Sequence, residues 1–160
     1  MKKVLIALDY DPSSQKVAEK GLALAKLMGA EVVLMHVLSE PVYYSSLEYS
    51  PIVGYNDSMN MGTFQMDTVE GLKKAAQHFL DRTKYHLGDE NIKTLLGEGK
   101  TADSILESAK SQDADIIVLG THSRKWLENI LVGSVTESVL KQSTLPLFIV
   151  PTKKLDDKKD

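Results

Sequence analysis

The chain has 160 residues, no cysteine and a formal net charge of -3, a length that supports one hydrophobic core rather than two ordinary domains. The missing cysteines exclude a disulfide framework and a thiolate metal site, and the slight acidity argues against a large nucleic-acid footprint. The opening run Val4-Leu5-Ile6-Ala7-Leu8 is cut by Asp9 and Asp11, too short for a signal or membrane segment, so a cytoplasmic protein with neither a membrane nor a nucleic acid as partner is expected.

Val4 to Leu8 lacks polar alternation, the pattern of a strand buried on both faces of a parallel sheet. A helix follows over about Ser13 to Met28, with Val17, Gly21, Leu24 and Met28 on one stripe and Gly29 as its stop. Val32 to Val37 forms the second strand. From Ser39 to Phe64 the helical period is lost, and the segment carries Pro41, Pro51, Gly54 and Gly62 together with Tyr43, Tyr44, Tyr49, Tyr55, Met59 and Met61. A connection of that length exceeds the usual 4 to 6 residues or so. Its aromatics set it apart from simple disorder, so a lid, a contact surface or a partly mobile insertion is expected there.

The second helix is marked by Met66, Val69, Leu72, Ala76, Phe79, Leu80, Thr83 and Leu87, and the third strand by Ile92 to Leu96. Ala102, Ile105, Leu106 and Ala109 mark the third helix, with Thr101 in the position of an N-cap. The fourth strand, Ile116 to Leu119, leads into Gly120-Thr121-His122-Ser123, and the last helix runs from Ser134 to about Lys141 with Ser134 and Glu137 spaced as a capping box. Leu145 to Val150 is the fifth strand, and the charged residues 153–160 form a tail.

Five strands alternating with four helices predict a single-domain α/β fold, a doubly wound, Rossmann-like parallel sheet with helices on both faces. Ligands of such sheets bind beyond the carboxyl ends of the strands, where the strand order reverses. Asp9 ends strand 1 and Gly120 ends strand 4, so neighbouring placement of these strands puts both in one crevice. A strand, a loop bounded by Gly120 and Gly133, and a helix start at Ser134 make an anion site: unpaired N–H groups carry partial positive charge, and glycine lets a phosphate approach. Each residue also has a plainer reading. Asp9 is a type that caps strand-end turns, the glycines permit turns, and Ser134 is an N-cap. His122 has no visible partner for nucleophilic catalysis, Arg124 and Lys125 suit a solvated face, and Trp126 suits a packing anchor or partner contact.

The opening Val4-Leu5-Ile6-Ala7-Leu8-Asp9 with Ser13-Ser14, the strand end Met35-His36-Val37, Gly97-x-Gly99, Asp113 to His122, Gly133-Ser134-Val135-Thr136, and Leu145-Pro146-Leu147 through Val150-Pro151 together resemble the universal stress protein family. The resemblance covers 1–152 except the insertion 39–64. It implies strand order 3-2-1-4-5, a homodimer through the last strand (Leu145 to Val150), and, in one branch, ATP between strands 1 and 4. That branch carries G-x2-G-x9-G followed by Ser or Thr, and here Ser123 stands at the second glycine. By this resemblance Asp9 faces the ribose or adenine and Val37 meets the adenine edge through its backbone. Gly120, Gly133, Ser134 and Val135, with Thr136 following, cradle the phosphates. At Ser123 a Cβ penalises positive φ and fills space near the ribose-phosphate, while the hydroxyl adds a hydrogen bond.

The resulting expectation is a homodimeric regulatory protein that takes ATP with magnesium, or another adenine nucleotide. It has no catalytic or metal-ligating residue of its own, because no general base and no acidic cluster is placed at a γ-phosphate. The alternative is a nucleotide-independent dimer that recognises an unknown protein partner through the tyrosine-rich insertion. Nucleotidyl transferases and ATP pyrophosphatases need further signatures, and Asp9-Tyr10-Asp11-Pro12-Ser13-Ser14 stands in their place; a phospho-receiver needs an aspartate where Leu96-Gly97-Glu98-Gly99 has none.

Overall fold

The computed structural model describes residues 1–38, 68–121 and 133–152. Within them lie, in chain order, β1 (Lys3–Leu8), α1 (Ser14–Met28), β2 (Glu31–Leu38), α2 (Val69–Leu87), β3 (Lys93–Glu98), α3 (Thr101–Ser111), β4 (Ile116–Gly120), α4 (Ser134–Gln142) and β5 (Leu147–Val150). The strands form one parallel sheet in the order β3-β2-β1-β4-β5. The tyrosine-rich insertion, Met66, the loop holding His122, Ser123, Arg124, Lys125 and Trp126, and the tail 153–160 lie outside the described residues.

Period-two alternation divides the sheet into two faces. On one, Val4, Ile6 and Leu8 of β1 pack with Val17, Ala18, Leu22 and Ala25 of α1 and with Leu72, Ala76, Phe79 and Leu80 of α2. On the other, Leu5, Val33, Met35, Val37, Ile117 and Leu119 meet Ile105 and Ala109 of α3 and Val139 of α4. Leu5, Ile6, Leu34 and Ile117 are fully buried, each such side chain contributing roughly 1.5–3 kcal/mol from its apolar area. The continuous apolar runs in the sequence are therefore strands covered on both sides. Gly21 brings α1 close to the sheet, since a Cβ there would lie 2.5 Å from Ile6 Cδ1.

Helix ends depart from the sequence expectation in instructive ways. Gly29 does stop α1, with φ 62° and the Ala30 N–H donating to the Ala25 carbonyl. Thr101 and Ser134, expected as N-caps, are instead the first helical residues, preceded by Lys100 and Gly133, and neither helix has a side-chain cap. Glu137 pairs with Lys141 at 2.8 Å rather than closing a capping box. Thr68 does cap, its Oγ1 accepting from the Gly71 N–H at 2.9 Å. The last strand begins at Leu147, not Leu145, because Ser143 Oγ both donates to the Leu145 carbonyl and accepts from its N–H, holding that residue in a turn.

Candidate functional site

The β1–β4 pair is the point of reversal: α1 follows β1 on one face of the sheet and α4 follows β4 on the other. Their pairing runs from Val4 with Ile116 to Ile6 with Val118, and each strand continues two residues further, to Leu8 and to Gly120. Doubly wound sheets bind their ligands beyond such strand ends.

Asp9 follows β1 directly and is exposed. Asp11, not Asp9, forms the turn into α1, since its Oδ1 accepts from the Ser13 N–H at 2.8 Å and its carbonyl from the Ser14 N–H at 2.9 Å. Leu8 is in register with His36, so Val37, one residue on, comes level with Asp9 at the same edge. Val37 is buried on the α3/α4 face.

Gly120 ends β4, and α4 is tied to it: Thr136 Oγ1 donates to the Gly120 carbonyl at 2.8 Å. The first backbone bond in α4 is from the Glu137 N–H to the Gly133 carbonyl, which leaves the Ser134, Val135 and Thr136 amides without intrahelical acceptors. With no side-chain cap on this helix, those amides carry the partial positive charge of the helix start. The structure thus brings Asp9, Val37, Gly120, Gly133, Ser134, Val135 and Thr136 to one edge of the sheet. Ser123 lies outside the described residues.

The glycine of Gly120 serves packing. A Cβ there would stand 2.7 Å from Val17 Cγ2 and 3.0 Å from Thr152 Cγ2, so α1 and the chain after β5 pack against the side-chain direction of this residue. That chain is held by Lys16 Nζ donating to the Pro151 carbonyl at 2.6 Å and by Thr121 Oγ1 accepting from the Thr152 N–H at 3.0 Å.

One residue of this edge carries more than sequence reasoning gave it. His36 is 4 % exposed, and its Nδ1 lies 2.8 Å from the Leu8 carbonyl. A carbonyl only accepts, so Nδ1 holds the proton. Burial lowers the imidazole to about 4, against the raising effect of the Leu8 bond. Its signal in the sequence is a histidine inside the otherwise apolar run 32–38, since a polar group in a strand covered on both faces needs a partner.

Other surface features do not compete. A shallow groove of about 250 Å³ lined by Glu19, Leu22, Ala23, Lys26, His86 and Leu87 lies between α1 and α2 toward the opposite end of the sheet. Among the described residues no cluster of three acidic, histidine or cysteine side chains could hold a metal, and no helix is long and apolar enough to cross a membrane.

Comparison with known proteins agrees with this geometry. The model of the universal stress protein family matches residues 1–151. Universal stress protein MJ0577 of Methanocaldococcus jannaschii is 28% identical over 155 residues, covering 95% of this chain and 96% of that protein. Universal stress protein MJ0531 of the same organism is 32% identical, over 93% of this chain and 81% of that one. A solved structure of MJ0577 superposes with a TM-score of 0.71 at 27% identity, covering 96% of this chain and 97% of that one. A universal stress protein solved in complex with cAMP shares the fold, with a TM-score of 0.62 at 19% identity over 95% of this chain and 98% of that one.

Proposed function

This chain belongs to the universal stress protein family, and from that premise we propose that it is a cytoplasmic, homodimeric regulatory protein that binds an adenine nucleotide, ATP first, at the β1–β4 reversal. The observation that carries the reading is the pairing of opposites at one edge: the uncapped start of α4, held against the β4 exit by Thr136, and the exposed Asp9 at the end of β1. Amides at a helix start favour a phosphate, and a carboxylate accepts hydrogen bonds from ribose hydroxyls or the adenine amino group. By the family resemblance, the Val37 backbone, level with Asp9, meets the purine edge. Gly133, buried immediately before α4, lets a polyphosphate lie close to the backbone.

Hydrolysis is expected to be slow or absent. Phosphoryl transfer needs a positioned water and metal-borne charge neutralisation, and neither Asp9 nor the hydroxyl of Thr136, already given to Gly120, supplies a base. Magnesium would accompany the triphosphate as part of the ligand.

Isothermal titration with ATP tests the reading. Binding by the wild type with a Kd on the order of micromolar, about −8 kcal/mol, and its loss in Gly133→Val, whose branched Cβ crowds the approach, are expected. A wild type that takes up neither ATP nor cAMP overturns it. The second reading, a nucleotide-independent partner-binding dimer, then stands.

A further inference from the structure

Asp9 is flanked by two anchors. On its amino side the Leu8 carbonyl accepts from His36 Nδ1–H at 2.8 Å. On its carboxyl side Tyr10 is 3 % exposed, its ring centroid 4.1 Å from that of His36 with the planes 34° apart. Phe79 of α2 closes the cluster edge-on, 5.2 Å from Tyr10 and 5.8 Å from His36. One imidazole therefore touches the chain both before and after Asp9. Leu8 and His36 are also the last registered pair of the β1–β2 ladder, so past this point strand pairing no longer directs the chain. Leu8 and Tyr10 are drawn into the α1/α2 face while Asp9 between them is exposed.

We propose that His36 is a positioning residue of the nucleotide site: by donating to the Leu8 carbonyl and supporting the Tyr10 ring it fixes the peptide on either side of Asp9, and so sets where the ligand-facing carboxylate stands. This rests on the reading of Asp9 as a ligand group and goes beyond it. The imidazole touches no ligand in this scheme. Burial keeps the ring neutral, and a neutral ring with its proton on Nδ1 is the form that donates to Leu8 while packing, tilted by 34°, on the Tyr10 ring. Nε2, which has no hydrogen-bond partner among the described residues, is then a buried lone pair. That buried lone pair costs stability, as an unmet acceptor does. An apolar side chain would fill the same space without that cost, and would leave the Leu8 carbonyl without its donor.

The test compares His36→Leu, which keeps bulk and removes the donor, with His36→Asn, whose side-chain amide can donate to Leu8 from near the Nδ1 position. Two readouts are taken: amide hydrogen exchange in ligand-free protein, and ATP titration. In His36→Leu, exchange at residues 9–14 is expected to rise at least about tenfold while Ile117 to Leu119 exchange as in the wild type, with about tenfold weaker ATP binding. His36→Asn should restore both toward the wild type. If His36→Leu leaves the 9–14 amides and the ATP affinity unchanged, or accelerates exchange uniformly across the core strands, the positioning role is wrong. Should His36→Leu not fold, His36→Asn decides alone: retained protection at 9–14 supports the role, and lost protection there with the melting temperature retained overturns it. A wild type that binds no ATP refutes the nucleotide reading, while the exchange readout still decides whether His36 orders the turn.

Discussion

His36 shows how much one side chain can bind together. Its folded value of about 4 lies below the 6.5 of an unfolded histidine, so between those limits the unfolded chain carries more protons than the folded one. Stability from this group is fully present above about pH 6.5, falls as pH drops toward 4, and is flat below that. Tyr10 and Phe79 are the side chains ringing it, and burial is the cause of the shift. Urea unfolding at pH 7 and about pH 5 should therefore show the wild type losing about 2 kcal/mol more than His36→Asn. Equal losses would mean that the imidazole is not held neutral. The histidine was visible in the sequence only as a polar interruption of an apolar strand, because its acceptor is the main chain of a neighbouring strand 28 residues earlier.

At the scale of elements, capping decides between two look-alike residues. Ser134 was the N-cap expected from sequence, yet it is already helical behind Gly133, while Thr68, which the sequence did not single out, has the extended backbone and accepts from Gly71. Thermal or urea unfolding should accordingly find Thr68→Ala destabilised by about 1 kcal/mol and Ser134→Ala within about 0.5 kcal/mol of the wild type. A large loss at Ser134 would put a cap where the geometry shows none. The absence of a side-chain cap on α4 is also what leaves its first amides available to an anion. Sequence spacing placed the helix correctly and misjudged its first residue, because a cap depends on the φ and ψ of one residue, which in turn depend on how Thr136 fastens the helix to Gly120.

For the whole molecule, the open question is what the sheet does at its β5 edge. Pro146 and Val150 turn their carbonyls toward β4, accepting from the Ile117 and Thr121 N–H groups. By strand alternation, Leu147 and Ile149 then direct their main-chain groups outward. A second copy of the chain pairing there would use those groups, as the proposed homodimer requires. Ile149→Pro removes an outward N–H without taking a bond from β4, a change tolerated in edge strands. Light scattering should show the wild type at twice its 17.7 kDa and the variant as a monomer, with unchanged circular dichroism confirming the fold. A wild-type monomer, or a variant that stays dimeric, would remove β5 from the interface.

The apolar runs, the helical stripes, Gly29 and the alternation of strand with helix were enough to specify a doubly wound sheet, since burial on both faces leaves few other ways to cover such strands. The family resemblance nominated site residues, residue by residue. What the chain in one dimension could not decide was the use made of each. The side-chain direction of Gly120 faces Val17 and Thr152; Asp11 forms the turn into α1; and His36 reaches a carbonyl on another strand. Local pattern and composition determine which elements form, because helix and strand periods are properties of neighbouring residues. Which atoms then fill a given space, or satisfy a given hydrogen bond, is set by contacts between segments far apart in sequence, and those exist only once the sheet has closed around its core.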